Sequence, residues 1–144
     1  MPLILLLVHT GVTLALVGLI WFVQVVHYPL FARVGKTAFT AYEAQHVSRT
    51  GAVVLPLMLT ELLSAIAIAI RAPAGVGFEF PLAGLALVVV IWASTFLLQV
   101  PCHRVLEEGF DAHAHAQLVR TNWVRTVAWT ARGALVLAMV ALAT

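Results

Sequence analysis

The sequence predicts an all-α fold: a four-helix bundle embedded in a membrane and formed by a single domain over residues 1–144. The first observation is composition, because 62% of the residues are hydrophobic and only 10% are charged. A soluble domain carries about 25% charged residues. The second observation is length, since a transmembrane helix needs about 20 predominantly apolar residues. The segments that meet this requirement are residues 3–27, 50–70, 81–101 and 122–143.

Two further features of the composition exclude other classes of protein. The formal net charge is only +2, which does not indicate a nucleic-acid partner for a chain this apolar. Cys102 is the single cysteine, so neither an intrachain disulfide nor a cysteine zinc motif can form. Because 62% of the residues are hydrophobic, the lipid bilayer is the first expected partner of the chain.

The first predicted span, residues 3–27, is expected to be a retained helix and not a signal peptide. It has no basic start and no small-residue cleavage site, and its apolar run is longer than the 7–15 residues typical of a signal peptide. The second and third spans are separated by APAGVGFEF, residues 72–80. This stretch is rich in Pro and Gly and predicts a short turn.

The other two connections, residues 31–49 and 104–120, are long and amphipathic. We expect each to form a short helix lying in the membrane interface. Basic residues concentrate near these connections and predict, by the positive-inside rule, that they lie in the cytoplasm and that both termini lie on the other side. These basic residues are Arg33, Lys36, Arg49, Arg104, Arg120 and Arg125.

The two halves of the chain show signs of an internal repeat with an offset of 76 residues. With this offset His27 aligns with His103 and Arg49 aligns with Arg125. Each half would then be a span, a connection and a span, and the halves would run parallel about an axis along the membrane normal. The alternative is that these matches arise by chance in a chain of biased composition.

Polar residues fall on one face of each predicted span when successive residues are turned by about 100°. In the third span Trp92 and His103 share this face, whereas Ser94 does not. Charges are costly in hydrocarbon unless they face a shared interior. We therefore predict that Glu61 pairs with Arg132 inside the bundle. On the fourth predicted span, the residues that share this polar face are Asn122, Arg125, Thr126, Trp129 and Arg132.

Each of these charged residues has two interpretations. The pair of Glu61 and Arg132 either takes part in chemistry or only holds the helices together. Arg49 and Arg125 either line the mouth of a polar cleft or extend to the lipid headgroups. Three arginines against one glutamate would favour an anionic or acidic-hydroxyl ligand in the interior.

Three histidines, His27, His46 and His103, lie at the predicted cytoplasmic ends of spans and are expected to converge. Neutral imidazole is a common ligand of transition metals and of haem iron. Glu43 and His46 add a Glu-x-x-His pair of the kind used by di-iron bundles, although the second half offers only His103 and Glu107 at a different spacing. HAH at 113–115 is expected to be solvated surface.

Two cofactor arrangements follow from these residues. A non-haem metal would be held by a set drawn from Glu43 and the three histidines. A haem would be held by His27 and His103 as axial ligands, with Trp92 and Trp129 as the aromatic cofactor contacts. Without any cofactor, the same histidines still suit acid–base catalysis.

The chain resembles the anthrone-oxygenase-like family of small four-span membrane proteins. The resemblance is carried by YPLF after the first span, by the spacing of Pro56 and Glu61 in the second, and by TNWVRT at 121–126. It implies a four-helix membrane bundle and, for some members, oxygenation of a reduced polycyclic phenol to a quinone. By position Asn122, Trp123 and Arg125 carry over as the shared motif.

A second and fainter likeness is to the small membrane protoporphyrinogen oxidases, which are haem-linked. It rests on the spacing of His9, Gly18, Trp21 and Phe22. The chain departs from that family's L-P-R-L-F continuation, because it has HYPLF at 27–31 instead.

The expected function is a membrane oxidoreductase or oxygenase acting on a hydrophobic, weakly acidic small molecule. The histidines would serve as bases or ligands, the arginines at 49, 125 and 132 would orient negative charge, and Glu61 would balance the interior. Asn122 completes the candidate catalytic set. The alternatives are a haem- or metal-binding membrane protein and a non-catalytic membrane subunit or carrier, and the small size leaves a homo-oligomer open.

Overall fold

The computed structural model describes residues 2–144, and they form four long helices. These are α1 (Leu3–Arg33), α2 (Lys36–Ile70), α3 (Glu79–Glu108) and α4 (Ala112–Ala143). All four are long and apolar enough to cross a membrane, and no β-strand occurs between Pro2 and Thr144. The predicted all-α four-helix fold is confirmed.

The helices form a ring in which α1 and α3 each pack against both α2 and α4. Every helix contributes apolar side chains to the buried core. One core residue from each helix, in chain order, is Leu16, Met58, Ile91 and Trp129. Every helix also turns large apolar side chains outward, and examples are Ile4, Leu63, Leu97 and Val127. An apolar exterior of this extent indicates a surface covered by lipid.

The predicted interfacial helices are not separate elements, and this expectation was wrong. α1 and α2 are joined only by residues 34–35, and α3 and α4 only by residues 109–111. The amphipathic pattern of these segments continues the inward stripe of the spans, because Phe39, Glu43 and His46 are buried within the bundle. A 35-residue helix such as α2 is about 52 Å long, so its basic end extends beyond a hydrocarbon core of about 30 Å.

Local signals explain the tight connection between α3 and α4. Gly109 ends α3 with φ +151°, a conformation that glycine adopts without steric cost. Asp111 then caps α4, because its side chain accepts a hydrogen bond of 2.7 Å from the backbone N–H of Ala114.

α1 and α3 each contain one wide turn with π-helical hydrogen bonds, at Val23–His27 and Thr95–Gln99. In the first, the N–H of Tyr28 donates to the carbonyl five residues earlier. Pro29 and Pro101 follow closely in the chain. Because proline lacks an N–H and its ring crowds the preceding turn, the helix widens at this point. Wide turns of this kind are frequent at functional sites.

These turns bear on the predicted internal repeat. They occupy corresponding places in α1 and α3, and the starts of α2 and α4 are 76 residues apart. The turns themselves start 72 residues apart. The helix layout therefore agrees with the repeat, whereas the register between the wide turns and the histidines differs by about one helical turn.

Candidate functional site

The predicted pairing of Glu61 with Arg132 is present in the middle of the bundle. Arg132 Nε donates to Glu61 Oε1 at 2.9 Å, and both side chains are buried. Thr13 Oγ1 donates to the same oxygen at 3.0 Å, and Trp129 Nε1 donates to Glu61 Oε2 at 3.0 Å. The carboxylate is therefore bonded to α1 and α4 and is held on α2.

The other two nitrogen atoms of the Arg132 guanidinium also have hydrogen-bond partners. It donates to the carbonyl of Gly84 on α3 and, at 3.1 Å, to Nε2 of His9. Ser64 Oγ donates to the carbonyl of Thr60 at 2.6 Å, so it accepts from His9 Nδ1 at 2.7 Å. This hydrogen bond indicates a neutral His9 whose Nε2 accepts.

We call this set the ion-pair network: Glu61 with Thr13, Trp129, Arg132, His9, Ser64 and the carbonyl of Gly84. Through Gly84 it reaches α3 and so joins all four helices, and neither of its charges lines a cavity described below. A buried ion pair whose hydrogen bonds are all made holds helices in one arrangement. The geometry therefore favours the structural interpretation of Glu61 and Arg132.

The predicted convergence of His27, His46 and His103 is also present, nearer the basic ends of the helices. His27 Nε2 lies 2.8 Å from His46 Nδ1, and the rings of His46 and His103 have centroids 5.2 Å apart. Glu43 Oε1 lies 2.5 Å from His103 Nδ1. Along α2 this group is 15 residues from Glu61, or about 22 Å.

Tyr28 also belongs to this group, although in the sequence it was marked only as the first residue of YPLF and not as a site residue. Its hydroxyl lies 3.1 Å from His103 Nε2 and its side chain is buried. Glu43, His103 and Tyr28 thus form a hydrogen-bonded chain of carboxylate, imidazole and phenol. The available signal was its position directly after His27 and before Pro29, at the wide turn of α1. We call these five residues the histidine cluster: His27, Tyr28, Glu43, His46 and His103.

The expectation that HAH at 113–115 is solvated surface holds for His113 but was wrong for His115. His113 is exposed, whereas His115 is partly buried. His115 Nε2 donates to the carbonyl of Tyr28 at 2.8 Å. The cause is the continuation of α4, which brings its first turn against α1.

A metal ion fits part of the histidine cluster. Glu43, His46 and His103 each offer one ligand atom, and these atoms lie within 4.8 Å of one another. Atoms bound to one transition metal lie about 2.0–2.2 Å from it and hence about 3 Å apart, so a small closing movement suffices. Oε2 of Glu43 is fully buried without a hydrogen-bond partner. A buried acceptor atom without a hydrogen-bond partner is one that a bound cation can neutralise.

Three of the four predicted metal ligands therefore lie together in this group. His27 contacts His46 from the other side and is not within the group of three. Glu107, considered for a second pair, is also outside this group. Within residues 2–144 the structure gives one Glu-x-x-His pair next to a histidine of α3, and no di-iron arrangement of two such pairs.

The haem arrangement does not fit these residues. The ring of His46 contacts both His27, with centroids 4.7 Å apart, and His103. It therefore occupies the space where the iron of a haem bound by His27 and His103 would lie. Trp129 is engaged in the ion-pair network, and Trp92 lines a groove on the lipid side. Neither tryptophan is available as a haem contact beside the histidines.

A cavity of about 320 Å³ lies against the histidine cluster. Its polar lining comes from Tyr28, His46, His103 and Arg125, from Thr50, Thr95 and Gln99, and from residues at the mouth. Leu19, Ile20, Val23 and Val54 form much of its apolar wall. The exposed lining residues belong to α2 and α3, and they include Val47, Gly51, Arg104 and Glu107. The cavity therefore opens sideways, between these two helices.

Arg125 lies inside this cavity and differs from Arg132 in its surroundings. Its side chain is buried, but its Nε has no hydrogen-bond partner. Its Cζ lies 5.1 Å from the centroid of the Trp129 ring. Among residues 2–144 no carboxylate lies within ion-pair distance of it.

The remaining predicted residues are spread around the cluster. Asn122 Nδ2 donates to Gln24 Oε1 at 2.8 Å, which links α4 to α1. Trp123 is exposed and packs edge to face on Trp21, as an interface residue would. Arg49 is exposed and lines an outer groove with His27, on the other side of His46 from the cavity. Arg49 is therefore not a residue of the cavity.

Comparisons with known proteins add no relative: no family model, curated protein or solved structure matches this chain. The resemblance to the anthrone-oxygenase-like family stays a prediction.

Proposed function

We propose that this protein is a membrane oxidoreductase in which Glu43, His46 and His103 hold one non-haem transition metal ion. The observation that carries the proposal is their convergence within 4.8 Å beside an apolar cavity. The substrate would be a hydrophobic molecule with a weakly acidic hydroxyl group, such as a phenol or quinol.

The ligand types favour iron and oxygen chemistry. Two histidines and one carboxylate form the set that non-haem iron(II) oxygenases use, with further positions of the metal left open. The unpartnered Oε2 of Glu43 supplies a buried negative charge that a cation would neutralise. Tyr28, which is bonded to His103 at 3.1 Å, would orient that imidazole.

The reaction class is the one that the family resemblance implies. A methylene group beside a phenol would be oxidised to a carbonyl with dioxygen as the oxidant. One oxygen atom would enter the product, and the other would leave as water with the two methylene hydrogens. The chain's own part would be to bind and orient the phenol and to exclude bulk water by means of the apolar wall.

The sideways opening supports delivery of the substrate from the bilayer. The mouth carries Arg104 and Glu107, at the helix ends where the basic residues concentrate. We assign these ends to the cytoplasm and both termini to the other side. The membrane-impermeant labelling of single cysteines at Lys36 and at the C-terminus, in a Cys102→Ser background, tests this orientation.

Metal analysis of the purified protein tests the proposal directly. After anaerobic loading with iron(II) in mild detergent, we expect about one iron per chain and no Soret band. H46Q and H103Q should each reduce the bound iron at least tenfold, whereas H113Q, at an exposed histidine of the same chain, should not. Equal iron in wild type, H46Q and H103Q would contradict the metal site.

Dioxygen uptake then tests the chemistry. The loaded protein is supplied with polycyclic phenols in lipid nanodiscs, and oxygen consumption is compared with that of H103Q. Uptake that depends on both substrate and His103 supports the oxidoreductase. Iron binding without uptake for any phenol would instead identify a metal-binding protein of another kind, and a chain with neither property would be a carrier or a structural subunit.

A further inference from the structure

We infer that the cavity between α2 and α3 binds a lipophilic monoanion whose acidic group pairs with Arg125. This inference deepens the proposed function, because it names the charged group of the substrate and the residue that recognises it. It rests on the same cavity, but the pairing with Arg125 does not require the metal.

The first argument is the missing counter-charge of Arg125. The residue is 7% exposed, and its Nε has no partner. A buried cation without an anion is costly, and intramembrane charges normally pair with one another or face a site. Arg132, two turns further along the same face, shows the usual solution in its bond to Glu61.

Among residues 2–144, no acid of the bundle interior lies within ion-pair distance of Arg125. Both oxygens of Glu61 are used by the ion-pair network. Glu43 is turned to His103 at 2.5 Å. The Trp129 ring, at 5.1 Å from Cζ of Arg125, attracts the cation but carries no charge. The Tyr28 hydroxyl is a further neighbour of the guanidinium, and an anion from outside the chain would supply the counter-charge that these groups lack.

The cavity indicates the rest of the ligand. Beyond Tyr28, the histidines and Arg125, its inner wall is mostly apolar, including Leu19 and Val54. Its volume of about 320 Å³ is at the lower end of the range for small-molecule sites. One guanidinium matches one negative charge, so a carboxylate or a phenolate fits better than a dianionic phosphate. The apolar body would extend toward the bilayer through the opening between α2 and α3.

Ligand binding to the metal-free protein in phosphatidylcholine nanodiscs tests this pairing. The probe is spin-labelled stearic acid, with its methyl ester as the neutral match. The phenolate arm uses pentachlorophenol and its methyl ether as competitors. We expect the wild type to prefer at least one of the two acids over its neutral match by tenfold or more. R125Q should abolish this preference, and R120Q, at an exposed arginine of α4, should retain it.

The two sources of the anion are distinguished by the arms of the experiment. Preference for the fatty acid alone identifies a carboxylate ligand, preference for the phenol alone identifies a phenolate, and both together identify the shared monoanion chemistry. An R125Q protein that keeps the wild-type preference would overturn the inference. Equal binding of acids and neutral matches by the wild type would do so as well.

R125K provides a second variant, because it keeps the charge but loses the forked geometry of the guanidinium. R125K should retain a weakened preference for the acids. A purely structural role of Arg125 predicts instead that neither R125Q nor R125K prefers the acids. Circular dichroism and gel filtration verify that each variant is folded. E43Q separates the inference from the proposed function, because Glu43 belongs to the proposed metal set but does not line the cavity. Loss of iron in E43Q with intact acid preference supports both, and intact iron in E43Q overturns only the metal site.

Discussion

At the residue scale, α4 carries two buried arginines with different partners. Arg132 is bonded to Glu61, His9 and the carbonyl of Gly84, whereas Arg125 has a cavity, an aromatic face and the hydroxyl of Tyr28 beside it but no acid. The free energy of folding should therefore respond oppositely to the loss of each charge. A paired buried charge leaves its partner stranded when it is removed, but an unpaired one does not.

The first prediction concerns the ion-pair network. E61Q or R132Q alone should lower the free energy of unfolding by about 3–5 kcal/mol, because each leaves one uncompensated charge inside the bundle. The double variant E61Q/R132Q should be more stable than either single variant. Unfolding in mixed detergent micelles, followed by circular dichroism, measures these differences. Single variants within about 1 kcal/mol of wild type would show that the pair contributes little to stability.

The second prediction concerns Arg125 in the absence of ligand. R125Q should be as stable as the wild type or more stable, since the substitution removes a buried charge that has no acid partner. The same unfolding measurement applies, with R132Q as the matched variant on the same face of the helix. If R125Q lost as much stability as R132Q, Arg125 would have to pair with an acidic group within the folded chain.

At the element scale, the wide turns of α1 and α3 decide which side chains face inward. A uniform turn of about 100° per residue along the third predicted span places Ser94 away from the polar face. Ser94 is in fact buried, and its hydroxyl donates to Gln99 Oε1 at 3.0 Å. The turn at Thr95–Gln99 has a wider repeat, so the residues before and after it follow different registers.

The third prediction belongs to α4 and its cap. D111A should lower the free energy of unfolding by about 1 kcal/mol, because it removes the acceptor for the first turn of the helix. D111N retains an acceptor and should stay within a few tenths of a kcal/mol of wild type. Thermal unfolding of the two variants side by side measures the difference, and equal midpoints for D111A and wild type would refute the capping role. Because His115 lies in this first turn, its bond to the Tyr28 carbonyl depends on the same cap.

At the scale of the whole molecule, the arrangement separates stability from binding. The ion-pair network joins all four helices in the middle of the bundle, and the histidine cluster lies about 22 Å away along α2. The cavity opens sideways between α2 and α3, near the basic ends of these helices. With the proposed function, a hydrophobic ligand would exchange with the bilayer without opening the tightly bonded middle.

The fourth prediction tests this sideways route. A Cβ at Gly51 would meet no atom within 4 Å, and Gly51 lines the cavity at its mouth. G51L should therefore leave the unfolding transition unchanged while weakening binding of the lipophilic acid at least tenfold. G18L is the matched control, since Gly18 also has open space around it but does not line the cavity. Equal loss of binding in both variants, or none in G51L, would contradict the route.

The sequence by itself determined the class of fold and many of the inward-facing residues, because both depend on local patterns. Four apolar runs of sufficient length predict four spans, and the cost of charge in hydrocarbon brings Glu61 to Arg132. The convergence of His27, His46 and His103 also followed from their places at the same ends of the spans.

Only the tertiary structure decided which of these residues act together. The continuation of the helices beyond the membrane, the wide turns before Pro29 and Pro101, and the packing of Tyr28 against His103 all depend on contacts between distant segments. The same contacts excluded His27 from the three-residue metal group and left Arg125 without an acid. A repeating pattern along one helix specifies a face, but neighbouring helices decide what that face meets.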